Sequence, residues 1–386
     1  MNGRKLNHLA SQVFGYADSE IGHRIGFLVD VPSEPADDTV DWQQRRAMAM
    51  HCAQILANFQ HACMFYAYQS VGRSNADLIH PVHAIALGDE VPGSAAQLDA
   101  YPGEVCEISD VYNHAEFWMV FTQYSATVPI RLAAARYGFR AVTLPGMCSS
   151  MLPALDIDVA ETDRRVTLLT RALTDADTAE IVFDVAGRHF TLAVDLRYRM
   201  GIGILGGISC NGQVVTLPPG EAYIVPYESE KNGLISFTSG ELPIQKNGDI
   251  AVCDVSENRV ICIDGDNAFA EDLRRAMMRE PAFANIAKLG LGILGDLGIQ
   301  PVGSHLYDER LGLHIGLGRS EYLGGVTSPS DFRDHRMVSH VDYIYHPALM
   351  PDIRIDHAKL IFKDHEASFI ENGHYCYDRI GNPLPA

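Results

Sequence analysis

The stretch MVSHVDYIYH, residues 337–346, sets an imidazole and a carboxylate two positions apart in a run of strand-forming side chains. Successive residues of a strand point to opposite faces, so His340 and Asp342 share one face and Val341 takes the other. One ring nitrogen beside one carboxylate oxygen suits a divalent cation of intermediate hardness, such as Zn, Mn, Co or Fe. A polar edge of a sheet carries the same pattern without any ion, so spacing alone leaves both readings open. Tyr343 and Tyr345 fall on the face opposite the pair and read as packing residues.

Other motifs carry less. GIGILG (Gly201, Gly203, Gly206) and GLGILG (Gly290, Gly292, Gly295) match the spacing of a dinucleotide loop. That loop needs a helix opening at its last glycine, so that backbone N–H groups meet a pyrophosphate. Both stretches run instead into turn-rich segments, which predicts tight turns or close strand approach and no nicotinamide cofactor. The eight cysteines include no C-x-x-C pair, which removes a zinc knuckle and a redox dithiol. GMCSSM around Cys148 lacks the frame of a nucleophile elbow. Glu228 and Glu230 in PYESEKNG read as a solvated turn, and the histidines at 335, 346, 357, 365 and 374 as polar positions on edges and loops.

The elements that would position these residues fall into two textures. RIGFLVDV, DWQQRRAMAMHCAQILANFQ, ACMFYAYQ, FWMVFT and VPIRLAAARYG alternate strand-like and helix-like periods, which predicts an α/β domain with a mainly parallel sheet over residues 1–160. AEIVFDVAGRHFTLAVDLRYR then reads as a hairpin about a Gly-containing turn. From there short strands dominate, including QVVTL, EAYIVP, LISFTS, DIAVCDV, RVICIDG and LGLHIGLG, with one helix near DNAFAEDLRRAMMRE capped by Asp266 or Asn267. A β-rich α+β domain, 161–386, holding a metal or ligand site is the expectation.

At 386 residues the chain is long enough for two cores. A net charge of −19 repels nucleic acid and anionic membrane surfaces. No apolar run approaches the ~20 residues of a membrane span, so a cytoplasmic protein is expected.

In series, PPGEAYIVP, LGLGILG, ERLGLHIGLGRSEYLGG and HVDYIY resemble the aminopeptidase T group of metallopeptidases, from about residue 160 to the end. The resemblance implies an aminopeptidase T-like fold, a homodimer, and a metal site built from Glu221, His314, Tyr322, His340 and Asp342, which in the family holds a pair of divalent ions. It implies a metal-dependent hydrolase acting on a peptide or small amide, with Glu221 as ligand or base and Tyr322 on the developing oxyanion. One position departs. Where the family has a glutamate this chain has Lys288, and a related ring-cleaving 2,5-dihydroxypyridine dioxygenase branch, which uses one iron, has a histidine. Two unit charges at about 4 Å interact by ~4 kcal/mol at an effective dielectric near 20, so an ammonium opposes a neighbouring dication by roughly twice that. Three outcomes stay open: one divalent metal with Lys288 turned aside, a Lys288 of lowered pKa acting as acid or base, or no metal, with Lys288 neutralising Glu221 and Asp342. The corresponding functions are a single-metal hydrolase or iron dioxygenase and a peptide-binding protein that has lost its metal.

Overall fold

The computed structural model describes residues 2–231 and 233–380. They form two compact units, Met1–Asp163 with Leu205–Pro219, and Arg164–Ile204 with Gly220–Ala386.

The first unit is built on a seven-stranded sheet. Five strands run parallel in the spatial order Val214–Thr216, Arg140–Thr143, Phe117–Phe121, Arg24–Val31 and Ala62–Gln69. Val82–Ala84 and Val105–Cys106 extend it antiparallel. The central strand is apolar on both faces, as burial under helices requires. Its Gly26 is a packing necessity, since a Cβ there would lie 2.6 Å from the Trp118 ring. Asp30 near the strand's end is buried and accepts Trp42 Nε1 and the Gln123 N–H on one oxygen and Ser70 Oγ on the other, tying together three neighbouring chain segments.

The second unit holds two antiparallel sheets. The larger has eight strands, with the hairpin Thr178–Val185 and Arg188–Asp195 near its centre. Ala186 and Gly187 turn it with φ of +51° and +82°, the left-handed pair that a two-residue hairpin loop demands. The helix Ala268–Arg279 follows, and its cap is Asn267, whose side chain accepts the Ala270 N–H. Two expectations are corrected: QVVTL, expected among the strands of the second domain, pairs as Val214–Thr216 into the first unit's sheet. LISFTS is irregular up to Ser239, and the strand there is Ser239–Lys246, which continues through Pro243. The reason is local: Asp195 Oδ2 accepts the Phe237 N–H while Thr238 Oγ1 accepts the Asp195 N–H, so side chains take the backbone groups a ladder would need. No helix of the described residues is long and apolar enough to cross a membrane.

Where the large sheet is packed, Phe183 is fully buried with its ring 4.8 Å from that of Tyr345, whose hydroxyl donates to the Pro243 carbonyl. Phe183→Ala is expected to lower unfolding free energy by ~3–5 kcal/mol in urea titrations. A loss below about 1 kcal/mol would show that this contact is not part of a rigid core.

Candidate metal or ligand site

The smaller sheet of the second unit runs in the order His340–Ile344, Leu313–Gly318, Ile286–Gly292, Glu221–Ile224, Ile202–Ile204. Its register opposes Glu221 to Gly292, Tyr223 to Gly290, Gly290 to His314, Lys288 to Gly316, Gly316 to Asp342 and Gly318 to His340. Opposed residues share a face, so this face carries every charged side chain of these strands, interleaved with glycines. Ala222, Ile224, Leu289, Leu291, Ile315, Leu317 and Tyr343 point the other way into the core. Period-two patterning thus separates chemistry from packing.

The glycines are there because side chains lie down across them. A Cβ on Gly290 would sit 1.9 Å from His314 Nε2, and one on Gly316 would sit 2.7 Å from Asp342 Oδ1 and 2.8 Å from His340 Cε1. At Gly292 it would meet the Arg310 carbonyl carbon at 2.3 Å. GLGILG is therefore a cleared shelf on a strand, not a phosphate loop.

The shelf brings together Glu221, Lys288, His314, His340 and Asp342. Lys288 is not turned aside. Its Nζ lies 2.6 Å from Glu221 Oε1, 2.9 Å from Glu309 Oε2 and 3.7 Å from Asp342 Oδ2. Burial works against ionisation of all three sequence-expected groups, and their mutual attraction overrides it: the Lys288 pKa is raised well above the usual lysine value and that of Asp342 lies well below the carboxylate range. Glu221, likewise opposed by burial, is held at about 2 by Lys288 and His314. Lys288 is thus an ammonium here, not an acid or base of lowered pKa.

The two imidazoles are oriented alike. His314 Nδ1 lies 3.0 Å from the Gly312 carbonyl and His340 Nδ1 lies 2.7 Å from the Arg319 carbonyl. A carbonyl only accepts, which assigns the hydrogen to Nδ1 in both rings. Each Nε2 then faces a carboxylate oxygen: His314 to Glu221 Oε1 at 3.2 Å, His340 to Asp342 Oδ1 at 3.1 Å. Two acceptors at that distance repel unless a proton or a metal ion lies with them, and carbonyl-locked imidazoles of this kind are how proteins aim Nε2 at a metal. His314 Nε2, Glu221 Oε1 and Asp342 Oδ2 are buried and have charged neighbours but no well-aligned hydrogen bond.

Two residues that sequence reasoning passed over complete the cluster. Glu309, in the turn Glu309–Leu311, reaches the same centre, and His305 Nε2 lies 3.2 Å from Asp342 Oδ2. The Asp342 carboxylate raises the His305 pKa against the effect of burial. Among the described residues two groups have the ligand spacing of a metal ion: Glu221, Glu309 and His314, and His305, Glu309 and Asp342. The donor set fits a divalent ion, and the only sequence hint of Glu309 was a carboxylate five positions before His314.

Tyr322 stands edge-on to His340, ring centroids 5.8 Å apart, with its side chain 55 % exposed. Its loop is fastened by Glu228, which corrects the expectation of a solvated turn. That side chain is 3 % exposed and accepts Ser320 Oγ at 2.7 Å, Thr327 Oγ1 at 2.9 Å, the Val326 N–H at 2.6 Å and Asn285 Nδ2 at 2.6 Å. Glu230 pairs with Arg199 Nη1 at 2.6 Å.

Two tests follow. A carboxyl held at about 2 in the folded chain against an ordinary 4.5 contributes stability that is complete above pH ~5 and lost as the pH falls through 2. Glu221→Gln is therefore expected to destabilise at pH 7 and to converge with the parent near pH 2; a constant difference across that window would contradict the assignment. Gly290→Ala should displace the His314 ring, costing ~1–3 kcal/mol and shifting its imidazole NMR signals. Unmoved His314 resonances would overturn the shelf.

No family model and no curated protein matches the chain. Solved structures do, among them two that align over nearly the whole chain. A 2,5-dihydroxypyridine dioxygenase from Pseudomonas putida KT2440 aligns with a TM-score of 0.54 at 13 % identity, over 97 % of this chain and 96 % of that one. Wild-type AmpT, an aminopeptidase T, from Thermus thermophilus aligns with a TM-score of 0.52 at 11 % identity, over 96 % and 99 %. At these identities the likeness is one of fold, and over nearly its whole length the chain has the fold that an aminopeptidase T and a 2,5-dihydroxypyridine dioxygenase share.

Proposed function

We propose that the chain is a metal-assisted hydrolase of a peptide or small amide, working on the glycine-cleared face of the smaller sheet. The observation that carries this reading is the pair of carbonyl-locked imidazoles, each with Nε2 against a carboxylate oxygen on that face. Asp342, Glu309 and the neighbouring imidazoles would hold a divalent ion, which when bound lowers the pKa of a coordinated water and polarises a carbonyl.

The remaining groups act by charge and shape. Lys288 neutralises part of the carboxylate charge and keeps Glu221 and Glu309 fixed, so neither swings when a ligand arrives. Gly316 lets the Asp342 carboxylate and the His340 ring lie flat across the neighbouring strand. Tyr322 has its pKa raised, first by burial and then by Asp342, so the phenol stays protonated as a donor for an oxygen on which charge develops. His305, 49 % exposed at the side chain, lies on the solvent side of Asp342 and stands with Glu309 and Asp342 at ligand spacing.

The expected result is hydrolysis of aminoacyl anilides and dipeptides with Zn, Mn or Co supplied, lost on chelation and restored by the ion, with Asp342→Asn lowering kcat/KM by ~10²-fold or more. No turnover of any amide with any of these ions would sink the reading. The likeness to a dioxygenase favours a second one, an iron-dependent ring cleavage; oxygen uptake with 2,5-dihydroxypyridine and ferrous iron in place of amide hydrolysis would select it.

A further inference from the structure

The carboxylates of the site do not balance the ammonium among them. Glu221, Glu309 and Asp342 surround one Lys288, so the groups in direct contact carry two negative charges in excess, which the buried Arg310 offsets in part at Glu221. One divalent ion would cancel that excess, and two would reverse it to the same extent.

The geometry says which half of the cluster the ion takes. Of the two groups with ligand spacing, the inner one is Glu221, Glu309 and His314, all buried, and its Glu221 Oε1 is already in contact with Lys288 Nζ at 2.6 Å. The outer one is His305, Glu309 and Asp342. Lys288 Nζ touches this group only through the shared Glu309, at 2.9 Å from its Oε2, and stands 3.7 Å from Asp342 Oδ2. Asp342 Oδ2 is buried and carries no well-aligned hydrogen bond. His305 gives the outer group a route from solvent. It sits in the short helix His305–Asp308, next to which Asp308 accepts the N–H groups of Val302 and Gly303, each at 2.9 Å, and its Nε2 lies 3.2 Å from Asp342 Oδ2. Neither Glu309 nor His305 belongs to the residues the family resemblance implied.

We infer that this chain holds one divalent ion, in the outer group formed by His305, Glu309 and Asp342, and that the Lys288 ammonium permanently fills the inner cation position as a built-in monovalent substitute. The inference deepens the proposed hydrolase reading by naming the metal complement of that same site, and it rests on that reading's premise that the face takes a divalent ion. His340, with Nε2 3.1 Å from Asp342 Oδ1, borders the outer position and steadies its carboxylate. The ion closes the charge balance, and the lysine forbids a second.

The test is binding, with no need of turnover. Chelator-stripped protein is titrated with Zn²⁺ and with Mn²⁺ by calorimetry, and bound metal is counted after dialysis. The parent chain should take one ion. His305→Ala should weaken its affinity by tenfold or more while the thermal melting of the metal-free protein is unchanged. Lys288→Glu, and as a second variant that adds no charge Lys288→Gln, should each take a second ion. The inference is overturned if the parent binds no ion or two, if His305→Ala binds as the parent does, or if neither lysine variant gains an equivalent. One His305-dependent ion without amide turnover would leave this inference standing and remove the hydrolase; metal-restored turnover whose ion binds as tightly in His305→Ala as in the parent would do the reverse.

Discussion

Three carboxylates cannot be buried on one small sheet face without a cation among them, and the ammonium of Lys288 meets that constraint. Taking ions out of water costs several kcal/mol each, and only close, well-placed opposite charge recovers it. The sheet supplies the placement: Lys288 and Asp342 lie in one row across Gly316, Glu221 enters from the next strand, and Glu309 arrives from the turn that leads into Leu313–Gly318. Everything else in the site is arranged about that ammonium. The imidazoles of His314 and His340 face two of the same carboxylates, Glu221 and Asp342, so a change at one member would disturb its neighbours.

Steric clearance is the complementary requirement. Side chains as large as an imidazole can lie across a neighbouring strand only where that strand has no Cβ, and Gly290 and Gly316 provide the two gaps. The same sheet packs its opposite face with leucine, isoleucine and alanine. A single period of two therefore serves stability on one side and chemistry on the other.

Buried and half-buried carboxylates also do structural work away from the charge centre. Glu228 fastens the loop bearing Tyr322, Glu280 accepts the N–H groups of Arg333 and Asp334, and Asp163 accepts those of Gly206 and Gly207. In each case the side chain takes over hydrogen bonds that an irregular backbone cannot make with itself. Part of the acidic excess of the composition is thus internal architecture and not only a solvated surface.

The amino-acid order by itself determined what local rules govern. Alternation put His340 and Asp342 on one face, a Gly-containing turn marked the hairpin, Asp266 or Asn267 marked the start of a helix, and the missing helix after GLGILG argued against a phosphate loop. The resemblance of short motifs supplied Glu221, His314, Tyr322 and the anomaly at Lys288. Only the tertiary structure decided where the Lys288 ammonium goes, that Glu309 and His305 join it, and that Glu228 is inside. The reason is physical: such contacts bridge residues 21 to 99 positions apart and lie in turns, where no periodicity marks them and pairing depends on how the strands are laid side by side.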